Sequence, residues 1–178
     1  MPKRIEIRIC GLGGQGVVLA GEILGRAAVY DGNYVVQTQS YGAEARGSAA
    51  KGEVIISDEK IGFPMVRKCD VLVAMSQSTL NQYLKDLKEN KILLVDEDMV
   101  KEVPSVKARV FRIPATKVAE TKLKSRIYAN VVMLGALTKI TGIVSKRSVE
   151  KAIIDSVSEE MRENNLRGFK MGFRLLNE

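Results

Sequence analysis

The sequence contains no histidine and no tryptophan. Without histidine there is no Ser–His or Cys–His dyad, and the commonest general base and metal ligand are missing together. An independent hydrolase is therefore disfavoured at the outset. Cysteine is scarce as well. Cys10 and Cys69 stand far apart in no metal-ligand spacing, so neither an iron–sulfur cluster nor a zinc site can be built within one chain. Two lone thiols point to buried structural roles in a reducing compartment, which makes a cytoplasmic location the expectation. Aromatics are few, five tyrosines and four phenylalanines, and they do not interleave with basic residues as a nucleic-acid face requires. No apolar run is long enough to span a membrane. The opening MPKRIEIRIC alternates charged and apolar residues, which is the pattern of a strand and not of a signal peptide.

What is present fits one soluble domain. The 178 residues can bury a sizeable core without a metal or disulfide staple, and residues 1–178 are read as a single unit. Lys plus Arg is 28 against 21 for Asp plus Glu, a net charge of +7. The excess is scattered: Lys85, Lys88 and Lys91 alternate with acids, and the densest basic stretch is Lys117, Lys122, Lys124 and Arg126. A generic basic surface is the simplest reading.

The chain then alternates between the periods of strand and helix. Ile5, Ile7 and Ile9 alternate with charged residues and predict a first strand, ending at Cys10-Gly11. From Gly16 the run GVVLAGEILGRAAVY carries a helical stripe of Val17, Ala20, Leu24, Ala27 and Ala28, broken by Asp31-Gly32-Asn33. Tyr34-Val35-Val36 begins a second strand, so the opening reads as a βαβ unit. Residues 37–51 have no period and read as an irregular loop. Further strands are predicted at 53–57, with a hairpin back through Lys60-Ile61, and at 70–74, 91–95 and 109–113. Ser76 caps a helix to about Leu87, and later helices are predicted at 115–124, 130–140 (Asn130 as N-cap, Gly142 as stop) and 145–163, with a short docked helix over 166–176. The fold class is α/β: a single Rossmann-like domain with a largely parallel sheet and a helical C-terminal segment.

Chemistry concentrates in the turn Gly11-Leu12-Gly13-Gly14-Gln15-Gly16, which matches G-x-G-x-x-G after a strand and before a helix. Such a turn brings backbone N–H groups up to an anion at a helix N-terminus. A complete dinucleotide site also needs an acid at the end of the second strand, and here that strand runs on into Gln37-Thr38-Gln39. No Lys-Ser/Thr follows Gly16, so it is not a Walker loop. A ligand-free turn that lets helix and sheet pack closely remains open.

Taken together, GLGGQGVVLAGEILGRAA, QSYGAEARGSAAKGEVIIS, DVLVAMSQ and NVVMLGAL resemble the gamma subunit of 2-oxoacid:ferredoxin oxidoreductases, with the 2-oxoglutarate branch favoured over the pyruvate and 2-oxoisovalerate types. The resemblance covers residues 4–142, and Ser48 stands where many relatives carry glycine. It implies oxidative decarboxylation of a 2-oxoacid to acyl-CoA and CO2, with electrons passing to ferredoxin. It also implies a division of labour. Thiamine diphosphate, Mg2+ and the iron–sulfur clusters belong to alpha and beta subunits, and in some assemblies a delta subunit. This chain carries none of them, has no catalytic or metal residue of its own, and is expected to be inactive alone. Gly11, Gly13, Gly14, Gln15 and Gly16 then face either the phosphates of coenzyme A or a subunit interface, the latter preferred for the Gln15 amide. Ser40, Tyr41, Glu44, Arg46 and Gly47 become an assembly surface. Asn130 becomes a substrate contact only if the resemblance holds in detail. No nucleic acid or membrane partner is implied. The runner-up reading is a free-standing Rossmann-like module for a nucleotide or cofactor, and a third is a pure scaffold.

Overall fold

Three isoleucines on one side of the first strand and two charged residues with a cysteine on the other set the arrangement of layers. In the computed structural model, which describes residues 4–43 and 47–176, β1 (Arg4–Leu12) turns Ile5, Ile7 and Ile9 toward one helical layer and Glu6, Arg8 and Cys10 toward the opposite face. Around it lie α1 (Val17–Tyr30), β2 (Tyr34–Tyr41), β3 (Ala49–Ser57), β4 (Cys69–Ala74), α2 (Gln77–Tyr83), β5 (Leu87–Asp96) and β6 (Ala108–Ile113). Four helices complete the chain: α3 (Ala115–Lys122), α4 (Ala129–Thr141), α5 (Lys146–Ser156) and α6 (Glu159–Arg174). The sheet order is β2-β3-β1-β4-β5-β6. The pairs β1–β4, β4–β5 and β5–β6 are parallel, whereas β3 runs antiparallel to both β1 and β2. The expected βαβ unit is therefore split. β1 and β2 point the same way, but β3 lies between them.

The larger core fills the face covered by α1, α4 and α5, from Ile7, Val73 and Leu94 on the sheet to Ile23, Leu134 and Ile153 on the helices. The other face is thinner, covered by α2 and long loops over Cys10, Leu72, Leu93 and Val95. It also buries a charge. The Arg8 guanidinium, 3% exposed, donates to Glu53 at 2.7 Å, to Asp86 at 2.5 Å and to the Val66 carbonyl at 3.0 Å. Burial alone would pull the Arg8 pKa down, but Glu53 and Asp86 outweigh it and hold it up.

Several boundaries differ from the sequence reading. Residues 37–41 and 49–51 are strand and not loop. Gln37-Thr38-Gln39-Ser40 shows no period because β2 is an edge strand whose second half is exposed on both faces. The hairpin through Lys60-Ile61 does not form, since both edges of β3 are already paired to β1 and β2. The helix after Ser76 ends at Tyr83, and after a single 3₁₀ turn the chain re-enters the sheet at Leu87, drawn back by the Arg8–Asp86 contact. The single helix expected over 145–163 is two helices broken at Val157-Ser158, and 166–174 belongs to the second of them. Gly168 and Gly172 look like breakers but serve contact: a Cβ on Gly172 would fall inside the Val132 carbonyl, and one on Gly135 inside the Phe169 carbonyl. α4 and α6 thus meet backbone to backbone.

Two expectations follow. Gly172→Ala should destabilise the chain by about 2–3 kcal/mol despite alanine's better helix propensity, because the two helices must separate; chemical denaturation measures it. Burial pushes the Cys10 and Cys69 thiols up to about 12, so neither should react with a thiol reagent at pH 8 until the protein is unfolded.

Candidate functional site

β1 runs out at Leu12, and the glycine turn that follows is closed by the Gln15 N–H donating to the Leu12 carbonyl at 3.1 Å. Gly14 sits at φ 90° and Gly16 at φ 73°, ψ 23°, left-handed angles that a side chain would strain. The Gln15 amide is engaged within the chain. Its Oε1 accepts from the Leu12 N–H at 2.7 Å and its Nε2 donates to the Met75 carbonyl at 2.8 Å. That side chain therefore ties the end of β1 to the end of β4, using one donor and one acceptor of its amide within the chain.

α1 packs on one face of the sheet and α2 on the other, so the gap between the ends of β1 and β4 is the place where open α/β sheets take their ligands. A cleft of about 310 Å³ opens there, lined by the turn together with Met75, Met99, Thr116, Arg126 and Ile127. A second cleft of about 390 Å³ lies on the other side of the turn, against Val17, Val18, Leu19, Glu22, Tyr41 and Ala50. The first turn of α1 borders it, and no side chain among the described residues caps that helix end. Its free N–H groups and the helix dipole favour an anion.

The second motif comes to the first. The Gly13 N–H donates to the Ser48 carbonyl at 2.9 Å, and the Gly42 N–H to the Ala49 carbonyl at 2.7 Å. Ser40 and Tyr41 are both exposed at the end of β2 and alternate across the sheet, so only Tyr41 lines the cleft beside the glycines. Gly47 is exposed at φ 67°. Glu44 and Arg46 lie outside the described residues. Asn130 is not an N-cap. α4 begins one residue earlier, and the Asn130 Nδ2 donates to the Gly16 carbonyl at 3.1 Å.

A dinucleotide does not suit this geometry. β3, which begins against the end of β1 at Ala49 and Ala50, holds the place beside β1 where a Rossmann strand would carry the ribose-binding acid. Among the described residues the one carboxylate lining either cleft is Glu22, and it pairs with Arg26 at 3.0 Å. Asp96 at the end of β5 is fully buried. Burial pushes its carboxyl up, while Thr116, donating at 2.6 Å, pulls the other way. The Thr116 hydroxyl is thereby turned inward, and Arg126 is held by Glu120. No group of three or more metal-ligating side chains occurs among the described residues, and none of their helices is long and apolar enough to cross a membrane. The arrangement suits an anion.

Met75, Met99, Thr116 and Ile127 were missed from sequence. Their signal was positional: Met75 and Met99 follow the ends of β4 and β5, Thr116 is in the first turn of α3, and Ile127 is in the 3₁₀ turn that leads into α4.

Comparison with known proteins bears on the same residues. The family model for pyruvate ferredoxin/flavodoxin oxidoreductase matches residues 6–175. The 2-oxoglutarate synthase subunit KorC of Methanocaldococcus jannaschii is 53% identical, over 98% of this chain and 95% of that protein. The crystal structure of a keto/oxoacid ferredoxin oxidoreductase gamma subunit from Geobacter sulfurreducens is 44% identical and superposes with a TM-score of 0.85, covering 96% of each chain. The 2-oxoglutarate:ferredoxin oxidoreductase from Magnetococcus marinus, solved with 2-oxoglutarate, coenzyme A and succinyl-CoA bound, matches with a TM-score of 0.89 at 25% identity; 99% of this chain aligns with 32% of that one. Glycine turn, split βαβ unit and helical tail all fall within the matched span, and the chain belongs to the pyruvate ferredoxin/flavodoxin oxidoreductase family.

Proposed function

We propose that this chain is the gamma-type subunit of a cytoplasmic 2-oxoacid:ferredoxin oxidoreductase of the 2-oxoglutarate branch, and that its glycine turn receives the phosphates of coenzyme A. The assembled enzyme would convert a 2-oxoacid and CoA to acyl-CoA and CO2, passing two electrons to ferredoxin. Thiamine diphosphate, Mg2+ and the iron–sulfur clusters would sit on the alpha and beta subunits and, where present, a delta subunit. The absence of histidine and the scarcity of cysteine accord with that division.

The observation that carries the CoA assignment is the bare first turn of α1. Val17, Val18 and Leu19, whose N–H groups begin the helix, line a cleft of about 390 Å³, with no side-chain cap among the described residues. CoA is polyanionic, and backbone donors with a helix dipole suit its pyrophosphate without a lysine or arginine in the cleft. Within the turn, Gly11 supports the Gln15 bridge, Gly13 and Gly14 allow close approach, and Gly16 directs the helix. The loop Ser40–Ser48 is the matching assembly surface: Ser40, Tyr41 and Gly47 are exposed, and Glu44 and Arg46 supply a pair for a desolvated contact.

Gly13→Val separates the readings. A Cβ at Gly13 would meet only the Ser48 carbonyl, at 3.8 Å, so the fold should survive while the side chain stands where the phosphates approach. In the assembled enzyme KM for CoA should rise about tenfold with little change in melting temperature. An unchanged KM for CoA with weakened subunit retention would move the turn to an interface instead. Glu44→Ala with Arg46→Ala should weaken retention by the thiamine-binding subunits about tenfold or more in a pull-down titration; retention at the wild-type level returns that loop to an ordinary solvated surface.

A further inference from the structure

Asn130 is the second residue of α4 and only 4% exposed. An asparagine at a helix start normally serves its own helix as a cap. Here its Nδ2 reaches 114 residues back along the chain to the Gly16 carbonyl at 3.1 Å, while its Oδ1 lies 2.8 Å from the Val131 N–H. The Gly16 carbonyl also accepts the first intrahelical bond of α1, from the Ala20 N–H at 3.0 Å. One oxygen is therefore gripped from two helices.

That oxygen matters because of where it sits. Gly16 is the N-cap of α1, and N-cap residues usually adopt extended angles, whereas Gly16 is left-handed. Glycine has no intrinsic preference for this conformation, so something outside the turn must select it. The contact is also shape-specific: a Cβ on Gly16 would overlap the Asn130 amide. The peptide plane held by Asn130 leads directly into the Val17, Val18 and Leu19 peptides, whose N–H groups form the helix end described above.

We propose that Asn130 is a positioning residue for CoA: by fixing the Gly16 carbonyl it aims the first-turn N–H groups of α1 at the phosphates. This rests on the CoA reading of the glycine turn. It adds that the anion site is set by α4 and, through the backbone contact of α4 with α6, by the C-terminal helix.

The test uses Asn130→Ala and, to guard against collapse of the vacated space, Asn130→Leu, which fills a similar volume without a donor. In the assembled enzyme both should raise KM for CoA about tenfold and change KM for the 2-oxoacid less than about twofold. In the full-length chain, amide hydrogen exchange at Ala20 should quicken while exchange in the last two turns of α1 stays as in wild type. Gly13→Val serves as the reference. If it raises KM for CoA and both Asn130 variants do not, Asn130 merely packs and the proposal is overturned alone. If none of the three raises it, the CoA reading falls and takes the proposal with it. Equal rises in both KM values would mark general disruption and also overturn it.

Discussion

The Gln15 side chain spans the gap between the ends of β1 and β4, and most of the site's geometry follows from that one bridge. Its amide gives each strand end the hydrogen-bond partner it would otherwise take from water. Gly11 belongs to the same unit, since a Cβ there would press on the Gln15 Oε1 at 2.5 Å. With the floor of the crevice filled, space for a ligand is left only on its flanks, as the two clefts. The bond from Gly13 to Ser48 then fastens the turn to the start of β3. A glycine-rich segment that would be loose in isolation becomes one of the better-determined parts of the chain, because the Leu12 and Met75 backbone, the Ser48 carbonyl, and α1 and α4 acting together on the Gly16 carbonyl all hold it.

The two faces of the sheet are held by different physics. On the α1–α4–α5 side the core is apolar and close-packed, and where α4 crosses α6 at Gly135 and Gly172 the two backbones come into direct contact. The opposite face keeps a buried guanidinium with two carboxylates and a carbonyl around it. Such a group adds little net stability over an apolar replacement, but removing one member strands the others at a cost of about 3–5 kcal/mol. It also fixes where the chain turns back after α2, which no propensity in residues 84–90 specifies.

Alternation at Ile5, Ile7 and Ile9, the stripe of α1 and the apolar runs of β4 and β5 were readable from residues alone because each buries a face against a partner close at hand. The glycine turn was readable for the same reason: strand, turn and helix are contiguous. What escaped was set by distant neighbours. β2 carries no period in Gln37–Ser40 because it is an edge. The close approach at Gly172 has no local signal because the carbonyl it accommodates, that of Val132, lies on α4. Asn130 read as a cap because its true partner, Gly16, is 114 residues away. The insertion of β3 between β1 and β2 has no local signature, and it is what removes the acid-bearing strand of a dinucleotide site.

β2 has a consequence for the life of the molecule outside its assembly. Among the described residues it is paired on one side only, over all eight positions, and it contains no charged residue, no proline and no bulge. Those are the devices by which free-standing sheets discourage a stranger from pairing with their margin. A newly made chain waiting for its companions thus offers a smooth, uncharged selvedge on which another extended segment can weave. The cell's exposure to that hazard is governed by how long the subunit waits, so balanced synthesis of the subunits becomes part of the protein's physical chemistry.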